Sequence, residues 1–354
     1  MIKAGIIGAT GYAGAELVRI LQGHRNVEIK WYGSKSYIDQ KYAKIYGNMF
    51  QIVEDTCLDD NLVDLAKQVD VIFTATPQGY LASILTEDIL NQAKIIDLSA
   101  DYRIKDVSVY EKWYGLKHGS PQLIDEAVYG LSEINRDKIK KARLIANPGC
   151  YTTCSILTAY PLVKDKLIDP DSLIIDAKSG VSGAGRGAKT DNLYCEVNDS
   201  MKAYGVTVHR HTPEIEEQLG LAAAQEIVIN FTPHLIPMNR GILATIYADL
   251  LMIEENGEKR YPTKEEIKST YEKYYGSEFF IRLLDWNKLP ETRWVKGSNF
   301  VDISFVIDER THRVIMIGAI DNLMKGAAGQ AVQNMNLLFG QREMEGLELV
   351  PMFP

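Results

Sequence analysis

The chain has 354 residues and a formal net charge of −8 at pH 7, with 46% hydrophobic and 24% charged residues. This balance is typical of a globular protein of about two domains, and it excludes a disordered chain, a collagen and a small disulfide-stapled fold. Neither a nucleic-acid partner nor a membrane partner is expected, because the charge is acidic and no apolar run is long enough to span a bilayer.

Short apolar runs alternate with amphipathic helical segments in the first 150 residues. This alternation predicts a parallel sheet with helices on both faces. Such a sheet binds ligands at the carboxyl ends of its strands, so the residues that follow each run matter most. The predicted strands are Ile2 to Ile7, Val27 to Tyr32, Val71 to Ala75, Lys94 to Leu98 and Leu144 to Ala146.

After about residue 165 the apolar segments become longer and are less regularly separated by helices. This change predicts a mixed or antiparallel sheet in a second domain. A last helical segment, Leu323 to Leu338, is rich in small and apolar residues and is expected to return to the first domain. The predicted strands of the second domain are Leu173 to Ala177, Glu226 to Phe231, Ile242 to Met252, Asn299 to Ile307 and Val314 to Ile320.

A glycine-rich turn, Gly8 to Gly14, follows the first predicted strand. Glycine lets the backbone turn tightly and approach a pyrophosphate, and the helix that follows offers unpaired N–H groups. The spacing G-x-x-G-x-x-G departs from the usual G-x-G-x-x-G, so a tight turn without a ligand is the alternative. The candidate cofactor-binding residues are Gly8, Thr10, Gly11, Tyr12, Ala13 and Gly14.

The end of the second predicted strand distinguishes NADP from NAD. NAD binding uses an acidic residue there to hold the ribose 2′-hydroxyl, but Glu28 lies at the start of this strand. The strand instead ends in Gly33-Ser34-Lys35-Ser36, and hydroxyl groups with a cation suit a 2′-phosphate. We therefore predict NADP as the cofactor, with Ser34 and Lys35 as contacts; the alternative is that both are solvated loop residues.

Cys150 is the candidate nucleophile, because it follows Asn147-Pro148-Gly149 where an apolar helical segment begins. The dipole and free N–H groups of a helix N-terminus stabilise a thiolate and can also bind an oxyanion. The alternative is a small buried hydrophobic residue. Cys154, one turn further on, is expected in the core. With only Cys57 and Cys195 besides these, we expect no disulfide framework and a reducing, cytoplasmic location.

His209 and His211 are the candidate acid–base residues. The segment from His209 to Glu214 is typical of a helix start, with Thr212 as the N-cap and Pro213 in the first turn. In an extended segment both histidines point to the same side, and the sequence does not choose between them. A His-x-His zinc site lacks a paired-cysteine signature here, so no metal is predicted.

Two further segments are candidates for binding anionic groups of a substrate. The segment from Ser179 to Gly187 contains four glycines, two serines and an arginine, which can form a backbone nest; a flexible loop is the alternative. Arg103 follows the fourth predicted strand and could bind a carboxylate in bidentate fashion, or form an ordinary ion pair. The candidate substrate-binding residues are Arg103, Ser179, Gly180, Ser182, Gly183 and Arg186.

Together these segments resemble the N-acetyl-gamma-glutamyl-phosphate reductase family, which is related to the aspartate-semialdehyde dehydrogenases. The resemblance extends from the Gly8 turn to the C-terminal helix, and the combination is specific although each motif alone is not. The segments that carry it are Asn147 to Cys150, Ser179 to Arg186, His209 to Glu214, Thr232 to Gly241 and Asp321 to Ala331.

The resemblance implies an α/β fold of two domains. Residues 1–148, completed by 322–354, are expected to form a Rossmann-type NADP-binding domain. Residues 149–321 are expected to form an α+β domain with a mixed sheet, for catalysis, substrate binding and oligomerisation. By the same resemblance, Asn322 and Gly326 approach the cofactor.

The implied activity is the NADPH-dependent reduction of N-acetyl-L-glutamyl 5-phosphate, through a cysteine thioester, in arginine biosynthesis. By resemblance Cys150 is the nucleophile, His211 is favoured over His209 as the acid–base residue, and the enzyme is a cytoplasmic homodimer or homotetramer. One alternative is an aspartate-semialdehyde dehydrogenase, against which the segments His209 to Glu214 and Asn322 to Ala331 argue. The other is a nucleotide-sensing protein without turnover, which would not need Cys150 together with a histidine motif.

Overall fold

The computed structural model describes residues 1–255, 257–285 and 287–353. The chain divides into two compact units. Unit 1 comprises Met1–Gly149 and Ala327–Leu349, and unit 2 comprises Cys150–Gly326 with the residues from Val350 onwards. Each unit contains its own seven-stranded sheet and its own helices.

Unit 1 is built on short, mostly buried strands. In chain order they are β1 (Ile2–Ile7), β2 (Val27–Gly33), β3 (Cys57–Leu58), β4 (Val71–Thr74), β5 (Lys94–Asp97), β6 (Val128–Tyr129) and β7 (Leu144–Ala146). Every pairing is parallel, in the order β3-β2-β1-β4-β5-β7-β6. Because the order proceeds outward from β1 in both directions, this is a doubly wound sheet, and the predicted α/β fold is confirmed.

The helices of unit 1 connect these parallel strands. Helix α1 buries Leu17, Val18 and Leu21, and the apolar core of the unit includes Trp31 and Ile72. The helices before residue 150 are α1 (Tyr12–Gln22), α2 (Tyr42–Ile45), α3 (Leu62–Leu65), α4 (Tyr80–Ile84), α5 (Glu87–Leu90), α6 (Val107–Tyr114) and α7 (Ser132–Ile139).

Unit 2 contains a mixed sheet, as predicted. Its strands are β8 (Ile174–Gly180), β9 (Lys202–Ala203), β10 (Asn230–Ile236), β11 (Ile242–Asp249), β12 (Ile253–Glu255), β13 (Glu258–Arg260), β14 (Ile281–Leu283), β15 (Val301–Asp308) and β16 (Arg313–Ile320). The large sheet has the order β14-β15-β16-β11-β8-β10-β9, and β12 pairs with β13 alone. The pairs β8–β10 and β14–β15 are parallel, whereas β11 is antiparallel to both of its neighbours.

One predicted strand of unit 2 is displaced along the chain. The sequence places a strand from Glu226 to Phe231, but β10 begins at Asn230. Ile227 and Ile229 are buried without belonging to a strand, so their apolar character reflects packing against the core rather than strand pairing. The prediction for this strand is therefore wrong at both ends.

The helices of unit 2 are α8 (Cys150–Lys164), α9 (Tyr194–Val197), α10 (Thr212–Ala223) and α11 (Lys264–Tyr275). Helix α8 lies close to strand β16 at Gly318. A Cβ atom at this position of β16 would lie only 2.0 Å from Oγ1 of Thr158 on α8. Tyr271 on α11 donates a hydrogen bond to the Thr158 carbonyl (2.7 Å), which ties α11 to α8. Among the helices of the described residues, none combines the length and apolar character that crossing a membrane requires.

The C-terminal helix α12 (Gly329–Leu338) belongs to unit 1. Nδ2 of Asn334 donates to the Gly130 carbonyl (2.8 Å) and to Oδ1 of Asn147 (3.0 Å). The return to unit 1 comes at Ala327 rather than at residue 322, because the preceding residues bond within unit 2. For example, the Gly326 N–H donates to the carbonyl of Asp321 (3.0 Å).

The end of the chain also departs from the expected boundary at residue 354. Residues 350–353 are part of unit 2, and the Met352 N–H donates to the carbonyl of Lys296 (2.8 Å). The last residue of the expected segment, Pro354, lies outside the described residues. The first unit is therefore completed by 327–349 only.

Candidate active site

Cys150 is the first residue of helix α8, a helix of 15 residues, and it is half-buried. Its sulfur therefore lies at the positive end of the helix dipole, where a thiolate is stabilised. The predicted helix start after Asn147-Pro148-Gly149 is confirmed. Most residues of α8 are buried, polar ones included, so the position of the cysteine is fixed by the packing of the whole helix.

The other three cysteines differ from Cys150 in their surroundings, although all four are free thiols. Cys154 is fully buried, as predicted, and this burial raises the pKa of its thiol to about 12. Burial likewise raises the pKa of Cys57 to about 11, so both remain protonated. Cys195 is exposed. Cys150 alone is both partly accessible and at the start of a long helix.

Gly326 contacts the nucleophile directly. A Cβ atom at this position would lie 2.8 Å from Cβ of Cys150 and 3.2 Å from its Cα. The glycine belongs to a single π-helical turn, Met324–Ala328, of the kind that is frequent at functional sites. The family resemblance implies a cofactor contact for Gly326, which stays a prediction; the structure places this glycine against Cys150, where only glycine fits.

Gly326→Ala is expected to lower activity by about 100-fold, because a methyl group displaces Cys150 from its reactive position, and misplacements of about 1 Å cost that much. The measurement is kcat with purified variant protein. Gly23→Ala is the matched control, because a Cβ there meets only the Ile20 carbonyl at 3.6 Å, an ordinary contact. An activity of Gly326→Ala close to that of this control would show that the contact has no catalytic consequence.

The two candidate histidines lie side by side at the start of α10, with ring centroids 4.9 Å apart. Nδ1 of His209 accepts a hydrogen bond from the His211 N–H (3.1 Å). Burial, reinforced by the neighbouring His211, lowers the pKa of His209 to about 3, so this ring is neutral at pH 7. The predicted N-cap is wrong by one residue: α10 begins at Thr212, and His211 is the N-cap.

Tyr151 joins the histidines to the helix of the nucleophile. Its ring centroid is 5.6 Å from that of His209 and 6.0 Å from that of His211. Its hydroxyl donates to the His234 carbonyl (3.0 Å) and accepts a hydrogen bond from the Tyr204 hydroxyl (3.2 Å). Neither Tyr151 nor Tyr204 is predicted as a site residue from the sequence; the position of Tyr151 next to Cys150 is a local signal for it.

Glu214 is a third residue whose role the sequence does not predict. It is buried in the first turn of α10, and its carboxylate accepts a hydrogen bond from Oγ1 of Thr152 (2.9 Å). Thr152 lies two residues after Cys150, so this bond fixes α10 against the first turn of α8. The bond therefore connects the helix that begins at Cys150 to the helix that follows the histidine pair.

The glycine-rich segment after β8 forms a one-turn 3₁₀ helix, Val181–Ala184, rather than a free loop. Nδ2 of Asn322 donates to Oγ of Ser182 (2.9 Å), and the Gly241 N–H donates to Oδ1 of Asn322 (2.8 Å). Asn322 therefore orders this segment, and a contact between Asn322 and the cofactor stays a prediction. Among the predicted substrate residues here, Ser179 and Gly180 are buried, Ser182 and Arg186 are half-buried, and Gly183 is exposed.

Arg103 is buried in unit 1 and already has backbone partners. Its Nε donates to the Asn147 carbonyl (2.7 Å), and one terminal nitrogen donates to the Leu98 carbonyl (2.7 Å). These bonds hold the turn that leads into Cys150. A substrate contact for Arg103 stays a prediction, whereas its support of this turn is seen directly.

The glycine turn after β1 has the geometry that a dinucleotide requires. Gly8 has φ of +74°, and a Cβ atom on it would lie 2.2 Å from the Ala75 carbonyl. A Cβ on Gly14 would lie 2.2 Å from the Gly8 carbonyl. Helix α1 begins after Gly11 without a side-chain cap, which leaves its first N–H groups to an anion. The residues present therefore fit a pyrophosphate.

Ser34 and Lys35 lie together at the carboxyl end of β2. The hydroxyls of Ser34 and Thr10 are 2.8 Å apart, which links the predicted 2′-phosphate site to the glycine turn. Nζ of Lys35 lies 4.0 Å from the centroid of the Tyr80 ring. Of the remaining predicted contacts, Tyr12 is exposed and Ala13 is half-buried, both in the first turn of α1.

Two family models match the chain. Residues 3–142 match "Semialdehyde dehydrogenase, NAD binding domain", and residues 150–322 match "Semialdehyde dehydrogenase, dimerisation domain". Among solved structures, aspartate semialdehyde dehydrogenase II of Vibrio cholerae has a TM-score of 0.70 at 17% identity, over 96% of this chain and 98% of that chain. At this identity the likeness shows a shared fold.

Curated relatives match the chain along its whole length. The N-acetyl-gamma-glutamyl-phosphate reductase of Lachnoclostridium phytofermentans is 68% identical over 354 residues, which is 100% of both chains. The protein of the same name from Campylobacter jejuni subsp. jejuni serotype O:6 is 55% identical over 98% of both chains. With this identity and the matched domains, the chain belongs to the N-acetyl-gamma-glutamyl-phosphate reductase family of semialdehyde dehydrogenases.

Proposed function

We propose that this chain catalyses the NADPH-dependent reduction of N-acetyl-L-glutamyl 5-phosphate to N-acetyl-L-glutamate 5-semialdehyde and phosphate, in arginine biosynthesis. The observation that carries this proposal is the position of Cys150 at the start of α8, beside Tyr151, whose ring contacts both His209 and His211. A cysteine nucleophile with an acid–base histidine close by in the same unit supports acyl transfer through a thioester.

In the first step the Cys150 sulfur attacks the acyl carbon of the substrate. The bond from this carbon to the phosphate oxygen breaks, phosphate leaves with the bonding electrons, and a thioester remains on Cys150. The N–H groups of the first turn of α8 face the charge that develops on the acyl oxygen and stabilise it. Splitting the reduction into thioester formation and thioester reduction replaces one difficult step by two easier ones.

In the second step the thioester carbon is reduced. NADPH, held by the Gly8–Gly14 turn, would supply the hydride to this carbon, and the carbonyl oxygen of the thioester would then carry the negative charge. A protonated histidine donates a hydrogen bond to this oxyanion. When the carbonyl re-forms, the carbon–sulfur bond breaks, the aldehyde leaves and the Cys150 thiolate is regenerated.

We assign the acid–base role to His211 and a positioning role to His209. The low pKa of His209, about 3, makes it too weak a base to carry a proton near pH 7. Its Nδ1 already accepts the His211 N–H, and its ring packs against Tyr151, Tyr204 and Phe231. These contacts support His209 as the residue that orients His211.

The remaining site residues are assigned as ligands of the substrate and the cofactor. The segment from Ser179 to Arg186 and Arg103 are proposed to bind the anionic groups of the substrate. The Gly8–Gly14 turn is proposed to hold the pyrophosphate of NADP, and Ser34 and Lys35 its 2′-phosphate. The hydroxyls at the end of β2, together with a cation, support NADP over NAD.

We also propose that the enzyme acts in the cytoplasm as a homodimer or homotetramer. Strand β11 alternates buried and half-exposed residues, so the sheet of unit 2 has one face that its own helices leave half-exposed. Leu243 and Tyr247 lie on that face, which a second copy would cover. The four free cysteines support a reducing compartment.

The test is NADP⁺ reduction by the purified protein with N-acetyl-L-glutamate 5-semialdehyde, with and without phosphate. We expect NADPH formation that requires phosphate, and slower reaction with NAD⁺. Signal with aspartate semialdehyde instead of the acetylated aldehyde would keep the chemistry and overturn the substrate. Absence of signal with both aldehydes would favour a nucleotide-binding protein without turnover.

A further inference from the structure

We propose that the hydroxyl groups of Tyr42 and Tyr46 set the conformation of the Gly8–Gly14 turn and thereby its affinity for the pyrophosphate of the dinucleotide. Both are positioning residues that lie outside the glycine motif. The inference rests on the proposed nucleotide-binding role of this turn, and it adds two residues to which no nucleotide role has been assigned.

Each hydroxyl bonds to the backbone of the turn. The Tyr42 hydroxyl donates to the Ala9 carbonyl (3.0 Å), and the Tyr46 hydroxyl donates to the carbonyl of Thr10 (3.0 Å). Tyr42 is the first residue of α2 and Tyr46, four residues later, is its C-cap; their rings stack with centroids 5.6 Å apart. One short helix therefore anchors two consecutive peptide groups of the turn.

Anchoring these carbonyls also fixes the direction of the N–H groups. In a trans peptide the C=O and N–H bonds point in opposite directions, so the bond to the Ala9 carbonyl fixes the Thr10 N–H. The Gly8 carbonyl in turn accepts the Gly11 N–H (3.0 Å). Three successive carbonyl oxygens are thus held by donors of the protein and are not turned toward an anion, which they would repel.

The turn needs such support because of its composition. Glycine populates many backbone conformations, so a turn with glycine at three of seven positions is flexible unless other groups hold it. An anion binds only when several N–H groups converge, and the apparent affinity falls with the fraction of turns in that conformation. The two hydroxyls raise this fraction before any nucleotide arrives.

The segment that carries the tyrosines is itself fixed. The Tyr42 N–H donates to the Asp55 carbonyl (2.9 Å), and the Cys57 N–H donates to the carbonyl of Gln40 (2.9 Å). Tyr42 is fully buried, and its ring also packs against Tyr32, with centroids 5.2 Å apart. The support is therefore part of the folded unit 1 rather than a mobile loop.

The experiment compares two probes that differ in the pyrophosphate. Binding of 2′-phospho-ADP-ribose, which contains it, and of adenosine 2′-phosphate, which lacks it, is measured by calorimetry for Tyr42→Phe and Tyr46→Phe. For each variant we expect about 10-fold weaker binding of 2′-phospho-ADP-ribose and unchanged binding of adenosine 2′-phosphate. In turnover, KM for NADPH rises while kcat at saturation is unchanged.

Tyr32→Phe is the matched control, because Tyr32 belongs to the same aromatic cluster but its hydroxyl accepts from Nε2 of Gln22 (2.8 Å). We expect wild-type binding of both probes for this variant. Should Tyr42→Phe fail to fold, the half-buried Tyr46 provides the same test. Equal losses for both probes, or none for either, would overturn the proposal. Wild-type protein that binds neither probe would overturn the nucleotide-binding role itself.

Discussion

Cys150→Ser is expected to abolish the phosphate-dependent oxidation of N-acetyl-L-glutamate 5-semialdehyde, with a loss of about 10⁴-fold or more. The serine hydroxyl has nearly the same size, so helix α8 and its packing are retained. Its oxygen is not ionised near neutral pH, however, and forms an ester rather than a thioester. Cys154 cannot replace the lost thiolate, because it is buried and its pKa is raised to about 12.

The measurement is the rate of NADPH formation with saturating aldehyde and phosphate. Cys195→Ser is the control, because Cys195 is exposed and is expected to take no part in the reaction. This variant should keep wild-type activity. Substantial turnover by Cys150→Ser would contradict the thioester route.

His211→Asn is expected to slow the reaction by about 10²- to 10⁴-fold, the usual contribution of a positioned acid–base group. His209→Asn should have a much smaller effect on kcat, since His209 is neutral in the folded protein and asparagine retains an acceptor for the His211 N–H. The measurement is kcat for both variants under identical conditions. The assignment would be reversed if His209→Asn showed the large loss and His211→Asn did not.

The acid stability of the fold provides a second readout for His209. Its pKa is about 3 in the folded protein and near 6.5 in the unfolded chain, so between these values the unfolded state binds the extra proton. Stability therefore falls as the pH is lowered through this window. His209→Asn removes this contribution, and its melting temperature should depend less on pH between about 6.5 and 4 than that of the wild type.

The sheet of unit 1 could be predicted in large part because its strands are buried on both faces. Strand β4, for example, is a continuous apolar run that ends at polar or turn residues. The strands β3 and β6 consist of two residues each and lie at the edges of the sheet, so they leave no periodic pattern. Their existence depends on neighbouring strands that only the folded structure provides.

The candidate site likewise contains residues that neighbouring sequence predicts and residues that depend on long-range contacts. Cys150 follows from the local sequence, because a Pro-Gly turn before an apolar segment marks a helix start. The roles of Tyr151 and Glu214 do not follow from it, since they depend on contacts between residues far apart in the chain. The bond from Thr152 to Glu214, for example, spans 62 residues. Gly326 is a similar case. It matters because it contacts Cys150, and these two residues are the last and the first of the segment Cys150–Gly326 of unit 2.

The most direct test of the account is detection of an acyl group on Cys150. The protein is incubated with N-acetyl-L-glutamate 5-semialdehyde and NADP⁺ in the absence of phosphate, so that the thioester forms but phosphate cannot release it. Mass spectrometry of the intact chain and of its peptides then locates the acyl group. We predict one N-acetylglutamyl group per chain, on Cys150, with one NADPH formed and complete discharge when phosphate is added. An acyl group on another residue, or turnover without any acyl-enzyme, would contradict the account.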